Sequence, residues 1–206
     1  MYRPPAFRED RLDVLHALID GHRLGTMVTH GPDGLDANLV PFTLDASRGQ
    51  YGTLKAHLAR ANSQIAALES GGEALVIFQG PESYITPSWY PSKLEHGKVV
   101  PTWNYVVVQA WGRPVIIDDP AWLLAQISEL TDLNEGKRPA PWAVQDAPDA
   151  YVASQLKGIV GIEIEIARIE GKWKTSQNRP EGDRVGVAEG LGAEGHAAMA
   201  ALVERG

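Results

Sequence analysis

No cysteine occurs anywhere in the chain. Disulfide staples, thiolate zinc sites, iron–sulfur clusters and cysteine nucleophiles are therefore excluded together. Nor is there an apolar run of the roughly 20 residues that a membrane-crossing helix needs. The opening MYRPPAFRED lacks the apolar core of a secretory signal, so no membrane partner is expected and the expected compartment is the cytoplasm. Basic charge is scarce: 19 Lys and Arg stand against 26 Asp and Glu, a formal net charge of -7. That balance argues against a nonspecific coat on nucleic acid. The histidines are His16, His22, His30, His57, His96 and His196, and none shows H-x-x-x-H or H-E-x-x-H spacing, so no metal site is expected. A G-x-S-x-G elbow is also missing, which leaves a serine hydrolase without support. One G-x-G-x-x-G run does occur, from Gly190 to Gly195, but only 11 residues follow it. A dinucleotide fold needs a further strand carrying an acidic residue after that motif. The run reads instead as flexible punctuation of a helix.

What is present is an ordinary globular composition, 44% hydrophobic and 22% charged over 206 residues, long enough for one domain with a sizeable core. Residues 8–20 have a helical apolar spacing built on Leu12, Leu15 and Ile19, and Gly21 follows as a stop. Leu24–Thr29 and Leu35–Leu44 read as two strands joined by the turn His30-Gly31-Pro32-Asp33-Gly34. A third strand is expected near 50–57, a helix at 61–70, and at Ala74–Gln79 a strand buried on both faces. Tyr105–Ile117 reads as a long strand bent at Gly112-Arg113-Pro114. Asp118-Asp119-Pro120 has the acidic cap and early proline of a helix start, with the helix over 120–133 and another near 149–157. Ile162–Ile166 alternates as a half-exposed antiparallel strand. Residues 173–182 read as a loop, and about 183–206 as a helical C-terminal segment. Strands that arrive mostly by hairpin imply an antiparallel barrel with peripheral helices, mainly β within the α+β class, as a single domain over 1–206.

Three segments carry chemistry. SYITPSWYPSKLEHGKVVPTWNY, residues 83–105, is too aromatic for an ordinary solvated loop and too interrupted by proline for one regular element. Its Trp and Tyr suit a ligand wall or a subunit interface, and equally a loop folded onto its own core. Lys55-Ala56-His57-Leu58-Ala59-Arg60-Ala61-Asn62 puts Lys55 and His57 on one strand face. Arg60 and Asn62 follow at a helix entry, where free N–H groups favour phosphate; the alternative is a solvated basic strand end. Lys172–Arg179 mixes cations with amides and hydroxyls that can bond a polar heterocycle edge, or simply satisfy their own turns.

Together the blocks MYRPPAF, GTLKAHLARAN at 52–62, WYPSK at 89–93, VPTWNY at 100–105 and KTSQNRPEGDRVGV at 174–187 resemble the PaiB-type proteins. These belong to the wider group of FMN-binding split barrels that includes the pyridoxine-phosphate oxidase-like proteins. The resemblance implies a homodimer of antiparallel split barrels with FMN at the subunit interface. On that basis Lys55, His57, Arg60 and Asn62 are expected at the phosphate. Trp103 and Tyr105 are expected at the ring, with Asn104, Gln177 and Asn178 at its polar edge. The strand equivalent to Thr26-Met27-Val28-Thr29 passes along the flavin in related barrels. The C-terminal region departs from the oxidase pattern in having no clear R-x-H substrate motif. The implied role is a flavin-linked redox step on an unidentified small molecule, or regulation, with catalytic residues unassigned. PaiB-type proteins are described as negative transcriptional regulators. The chain shows no helix-turn-helix with a basic recognition helix, so direct DNA binding is not expected. A haem-handling split barrel is a third alternative.

Overall fold

The structure is a computed structural model that describes residues 1–32 and 34–205. Asp33 of the expected turn and the terminal Gly206 lie outside the described residues. Along the chain the first elements are β1 (Arg8–Glu9), α1 (Leu12–Gly21), β2 (Leu24–Gly31), β3 (Gly34–Pro41), β4 (Thr43–Asp45), β5 (Thr53–Ala59) and α2 (Gln64–Glu69). Next come β6 (Ala74–Ile85), α3 (Ser92–His96), β7 (Thr102–Gly112), β8 (Pro114–Ile117), α4 (Pro120–Glu135) and α5 (Asp149–Leu156). The chain ends with β9 (Ile159–Glu165), β10 (Arg168–Lys174), α6 (Glu181–Ala193) and α7 (Ala197–Arg205). All strand pairings with an assigned register are antiparallel, as the hairpin-rich sequence predicts. The residues form two compact units: 1–18, 79–108 and 170–206 make the first, 19–78 and 109–169 the second.

In the second unit β2 is central. It pairs with β3 along its whole length, from Leu24↔Pro41 to Gly31↔Gly34, and with β6 at Thr26↔Ile77 and Val28↔Leu75. A second sheet runs in the order β4-β5-β9-β8. Alternation sends Met27, Val40, Leu54, Ala56, Phe78, Ile162 and Ile164 into the core, where Phe42 meets Phe78 edge-to-face with ring centroids 5.7 Å apart. The long strand expected over 35–44 is broken at Phe42, which is fully buried between β3 and β4. Residues 74–79 are buried on one face only, because Leu75 and Ile77 stay half-buried on the other. β6 also continues past Pro81. Its ladder with β2 covers only Leu75–Ile77, so on that edge the missing proline N–H breaks no bond.

Helix α4 starts as its sequence predicts: Asp119 accepts from the Ala121 N–H at 2.8 Å and Pro120 occupies the first turn. Its Trp122 lies flat on β9 because position 161 is glycine; a Cβ there would sit 2.3 Å from the indole. The Trp122 Nε1–H donates to Glu163 at 3.0 Å, and Arg48 grips the same carboxylate at 2.7 and 2.9 Å.

In the first unit Ile85, Tyr90, Val187, Leu191, Met199 and Val203 form one buried cluster. The C-terminal segment is two helices, broken where Gly195 takes a φ of +84°. The glycine run of α6 proves to be a packing device. A Cβ at Gly190 would lie 2.3 Å from the Trp89 ring, and one at Gly186 would lie 2.1 Å from the Trp89 carbonyl oxygen. Residues 173 and 174, expected in a loop, complete β10; the helix expected from residue 8 begins only at Leu12, after the short strand β1, and a short helix α3 interrupts the aromatic segment.

Two outcomes follow from this packing. Gly190→Ala is expected to lower stability by about 1–3 kcal/mol, the usual cost of forcing a methyl into a filled contact, measurable by urea denaturation; an unchanged midpoint would refute the docking of Trp89 on α6. Arg48, chiefly through its hydrogen bonds, holds the Glu163 carboxyl below 4.5, against the opposing effect of burial. A depressed carboxylate contributes stability that is fully present above pH 4.5 and is lost as pH falls through the lowered value. Glu163→Gln should therefore flatten the acid limb of a melting-temperature profile and leave its slope above pH 6 unchanged.

Candidate functional site

Strand β7 sets one side of the site by simple alternation. Val106 and Val108 point inward, whereas Trp103, Tyr105 and Val107 point outward. With Gln79 and Glu82 these three line a groove of about 400 Å³. Trp103 is 53% exposed and leans on Tyr84 in a T-shaped contact with centroids 5.9 Å apart. A tryptophan held this far into solvent beside a tyrosine is a flat surface ready to be covered.

Asn104 lies on the opposite face of β7 from its neighbours. Its side chain is 1% exposed and donates to the Ser176 hydroxyl at 2.9 Å. Ser176 is the one non-glycine among the described residues with a positive φ, +66°. Gln177 closes the same turn from both ends of its amide: Nε2 donates to the Trp173 carbonyl at 2.6 Å, and Oε1 accepts from the Thr175 N–H at 2.8 Å. Asn104 and Gln177 thus build the turn after β10, and Asn178 stands exposed beyond it. That turn presents Lys174 and Arg179. The Lys174 ammonium donates to the Thr102 hydroxyl and the Trp103 carbonyl. Burial, followed by repulsion from Lys172 and Arg179, holds Lys174 below the usual lysine range.

The remaining residues expected at a flavin belong to the second unit. Lys55 and His57 do share one face of β5, and α4 covers it: Lys55 Nζ bonds Glu129 at 2.7 Å, and His57 Nδ1 lies 2.7 Å from the Gln126 amide oxygen. Arg60 turns away, with its two terminal nitrogens on Asp118 at 2.6 and 3.1 Å and further bonds to the carbonyls of Lys157 and Ile159. Its guanidinium holds the Asp118 carboxyl below the usual range. Asn62 accepts from the Gln64 N–H at 2.9 Å and so occupies the first free donor of α2. In β2, Met27 and Thr29 are buried, while Thr26 and Val28 face outward. The backbone at 26–28 is paired with strands on both edges. Beside it β3 exposes Leu35, Ala37 and Leu39, with Leu35 at 77% and Leu39 at 66%.

Two features escaped the sequence reading. Gln64, 1% exposed, fastens α2 to the β2–β3 hairpin: its amide donates to the Met27 carbonyl at 3.1 Å and the Thr29 hydroxyl at 3.0 Å, and accepts from Asn38 at 3.0 Å. The other is that Lys172 and Lys174, within the cation-bearing 172–179 segment already marked by the sequence, meet the same Tyr105 ring. A Lys-x-Lys spacing within a strand was the available signal for this pair.

The fold is an α+β antiparallel split barrel, the class to which the flavin-binding pyridoxine-phosphate oxidase-like proteins belong. The chain is a member of the PaiB-type family, described as "Putative FMN-binding domain", which matches residues 1–168. It is 38% identical to the protein AN0679 of Emericella nidulans, over 100% of this chain and 98% of that one. It is 30% identical to protease synthase and sporulation protein PAI 2 of Bacillus subtilis, over 93% of this chain and 89% of that one. Among solved structures it resembles the flavocytochrome Anf3 of Azotobacter vinelandii, with a TM-score of 0.62 at 15% identity, covering 90% of this chain and 78% of that one. It also resembles an FAD and heme binding protein of Mycobacterium smegmatis, with a TM-score of 0.60 at 16% identity, covering 81% and 73%. Among the described residues no helix is long and apolar enough to cross a membrane.

Proposed function

We propose that the protein binds FMN and works as a homodimer in a redox step on a small molecule. The observation that carries this reading is the outward aromatic wall of Trp103 and Tyr105 over a groove of about 400 Å³, in a chain of an FMN-binding family. The wall fits the flat isoalloxazine ring, with Val107 extending its apolar surface and Gln79 supplying an amide for the ring edge. FMN when bound supplies transfer of electrons to or from a partner molecule. The chain's own part is to seat the ring and to keep water from one of its faces.

The dimer has its own support. Leu35, Ala37 and Leu39 on β3, with Val28 on β2, form an outward apolar strip of the sheet, flanked by Thr26 and by His30 opposite Leu35. A second copy of the same face is a natural cover, because a two-fold contact is self-complementary. The name of the Bacillus relative refers to protease synthesis and sporulation. A regulatory output of this chain would be read through flavin occupancy, since its net charge of -7 disfavours a duplex as direct partner. Haem handling rests on fold alone, given the 15% and 16% identities to the two haem- or cytochrome-named structures.

Added FMN should lose fluorescence on titration with the protein and show a shifted visible spectrum; a titration without saturation would remove the flavin reading. Sedimentation at micromolar concentration should give a dimer, and Leu35→Glu with Leu39→Glu should give a folded monomer. A wild-type monomer that binds FMN at full strength would remove the dimer and keep the flavin.

A further inference from the structure

Lys172 and Lys174 share one face of β10 and the ring of Tyr105, Arg179 follows in the turn beyond, and among the described residues none of the three forms an ion pair. Lys172 is 8% exposed, and its ammonium faces the rings of Tyr105 at 5.1 Å and Tyr2 at 5.6 Å. Lys174 lies on the same face of β10, 6.0 Å from the centre of the same Tyr105 ring. Arg179 stacks over the ring of Tyr90 at 4.8 Å. Among the described residues, three carboxylates of this unit have partners of their own, and Glu82 stands exposed at the groove that Tyr105 lines. Glu9 is gripped by Arg11 at 2.6 Å, Glu170 meets Arg3 at 3.6 Å, and Asp183 accepts the Ser92 hydroxyl at 2.7 Å and its N–H at 3.1 Å. Aromatic faces and neutral oxygens orient the three cations but leave their charge in place. Burial, and after it repulsion from Lys172 and Arg179, makes Lys174 hold its proton less tightly than usual.

The basic end of β5 in the second unit differs. There Lys55 and Arg60 each form an ion pair, with Glu129 at 2.7 Å and Asp118 at 2.6 Å. An incoming anion would have to displace those carboxylates, whereas at Lys172, Lys174 and Arg179 it would relieve repulsion. Three cations suit a doubly charged group better than a single carboxylate, which would leave most of the excess charge unmet. Tyr105 belongs both to this cluster and to the aromatic groove.

We propose that Lys172, Lys174 and Arg179 form a binding site for a phosphate monoester whose attached ring system lies on Tyr105 and Trp103. The inference rests on the flavin reading only for the identity of that ring. The phosphate is either that of FMN or that of a second, phosphorylated molecule. Only binding is proposed, and no bond is made or broken.

The test uses the full chain at constant ionic strength. Inorganic phosphate is titrated by calorimetry and by thermal shift into wild type, Lys172→Met/Lys174→Met, Arg179→Gln and Arg60→Ala; FMN and riboflavin are then compared on the same proteins. Phosphate should stabilise wild type and Arg60→Ala alike, and should bind at least about tenfold more weakly to the other two. Without phosphate the double Met variant should melt no lower than wild type, because it loses two uncompensated charges and keeps most of its apolar stem. If the preference for FMN over riboflavin disappears with the double variant, the phosphate is the flavin's own. If that preference survives while phosphate binding is lost, the site serves a second phosphorylated molecule. Equal phosphate affinity in wild type, the double variant and Arg179→Gln would overturn the proposal, as would a wild type that ignores millimolar phosphate and binds the two flavins equally. A wild type that binds neither flavin but binds phosphate through these residues removes the flavin reading and leaves the site standing.

Discussion

The buried amide of Asn104 bonds to the Ser176 hydroxyl at 2.9 Å, and the turn after β10 depends on that bond. Ser176 pays a conformational cost for its φ of +66°, of order 1–3 kcal/mol for a residue in a sparsely populated region. The conformation persists because neighbours over-determine it: Asn104 holds the side chain, Gln177 closes the backbone from Trp173 to Thr175, and the Arg179 N–H donates to the Ser176 carbonyl at 2.9 Å. The result is a rigid link between β10 and α6. Lys174 enters it and Arg179 leaves it, so the two cations are placed by hydrogen bonds that neither of them makes with a carboxylate. A buried polar pair thus serves position more than stability, since a single neutral bond contributes only about 1 kcal/mol net.

The basic groups singled out in the two units are held differently, although the N-terminal arginines of the first unit are also ion-paired. In the second unit the cations close ion pairs: Lys55 anchors α4 through Glu129, Arg60 fixes the start of that helix through Asp118, and Arg48 clamps Glu163 beneath Trp122. These are structural links, and at the exposed Arg60–Asp118 pair screening by solvent makes the contribution small. In the first unit Lys172, Lys174 and Arg179 are ordered by aromatic rings and neutral oxygens. Proteins seldom leave positive charge uncompensated in a half-buried place unless something negative arrives there.

Glycine acts in both units as a spacer that sets how closely an aromatic approaches. Gly161 lets Trp122 lie on β9, and Gly186 and Gly190 let the Trp89 segment lie on α6. The G-x-G-x-x-G pattern is thereby accounted for without a nucleotide. Its middle glycine, Gly192, meets nothing within 4 Å, and its last, Gly195, supplies the positive φ that separates α6 from α7.

Much of the fold was written locally. The Asp119-Pro120 helix start, the period-2 runs of β2, β7 and β9, the bend at Gly112–Pro114 and the break near Gly195 rest on capping, alternation and backbone sterics, which act between near neighbours and so are legible in a single chain. The same alternation placed Lys55 beside His57, whereas Trp103 joins Tyr105 on one face only because β7 begins at Thr102, three residues before the strand expected from the sequence. What the sequence could not determine was which charges are already spent. Lys55 and Glu129 lie 74 residues apart, Arg60 and Asp118 lie 58 apart, and Asn104 and Ser176 lie 72 apart. Long-range packing alone brought Glu129 and Asp118 onto the basic end of β5. It also turned Asn104 and Gln177 to structural bonds and, among the described residues, left Lys172, Lys174 and Arg179 outside any ion pair. The charge of a side chain is local information, whereas its neutralisation is decided by whatever the tertiary fold sets against it.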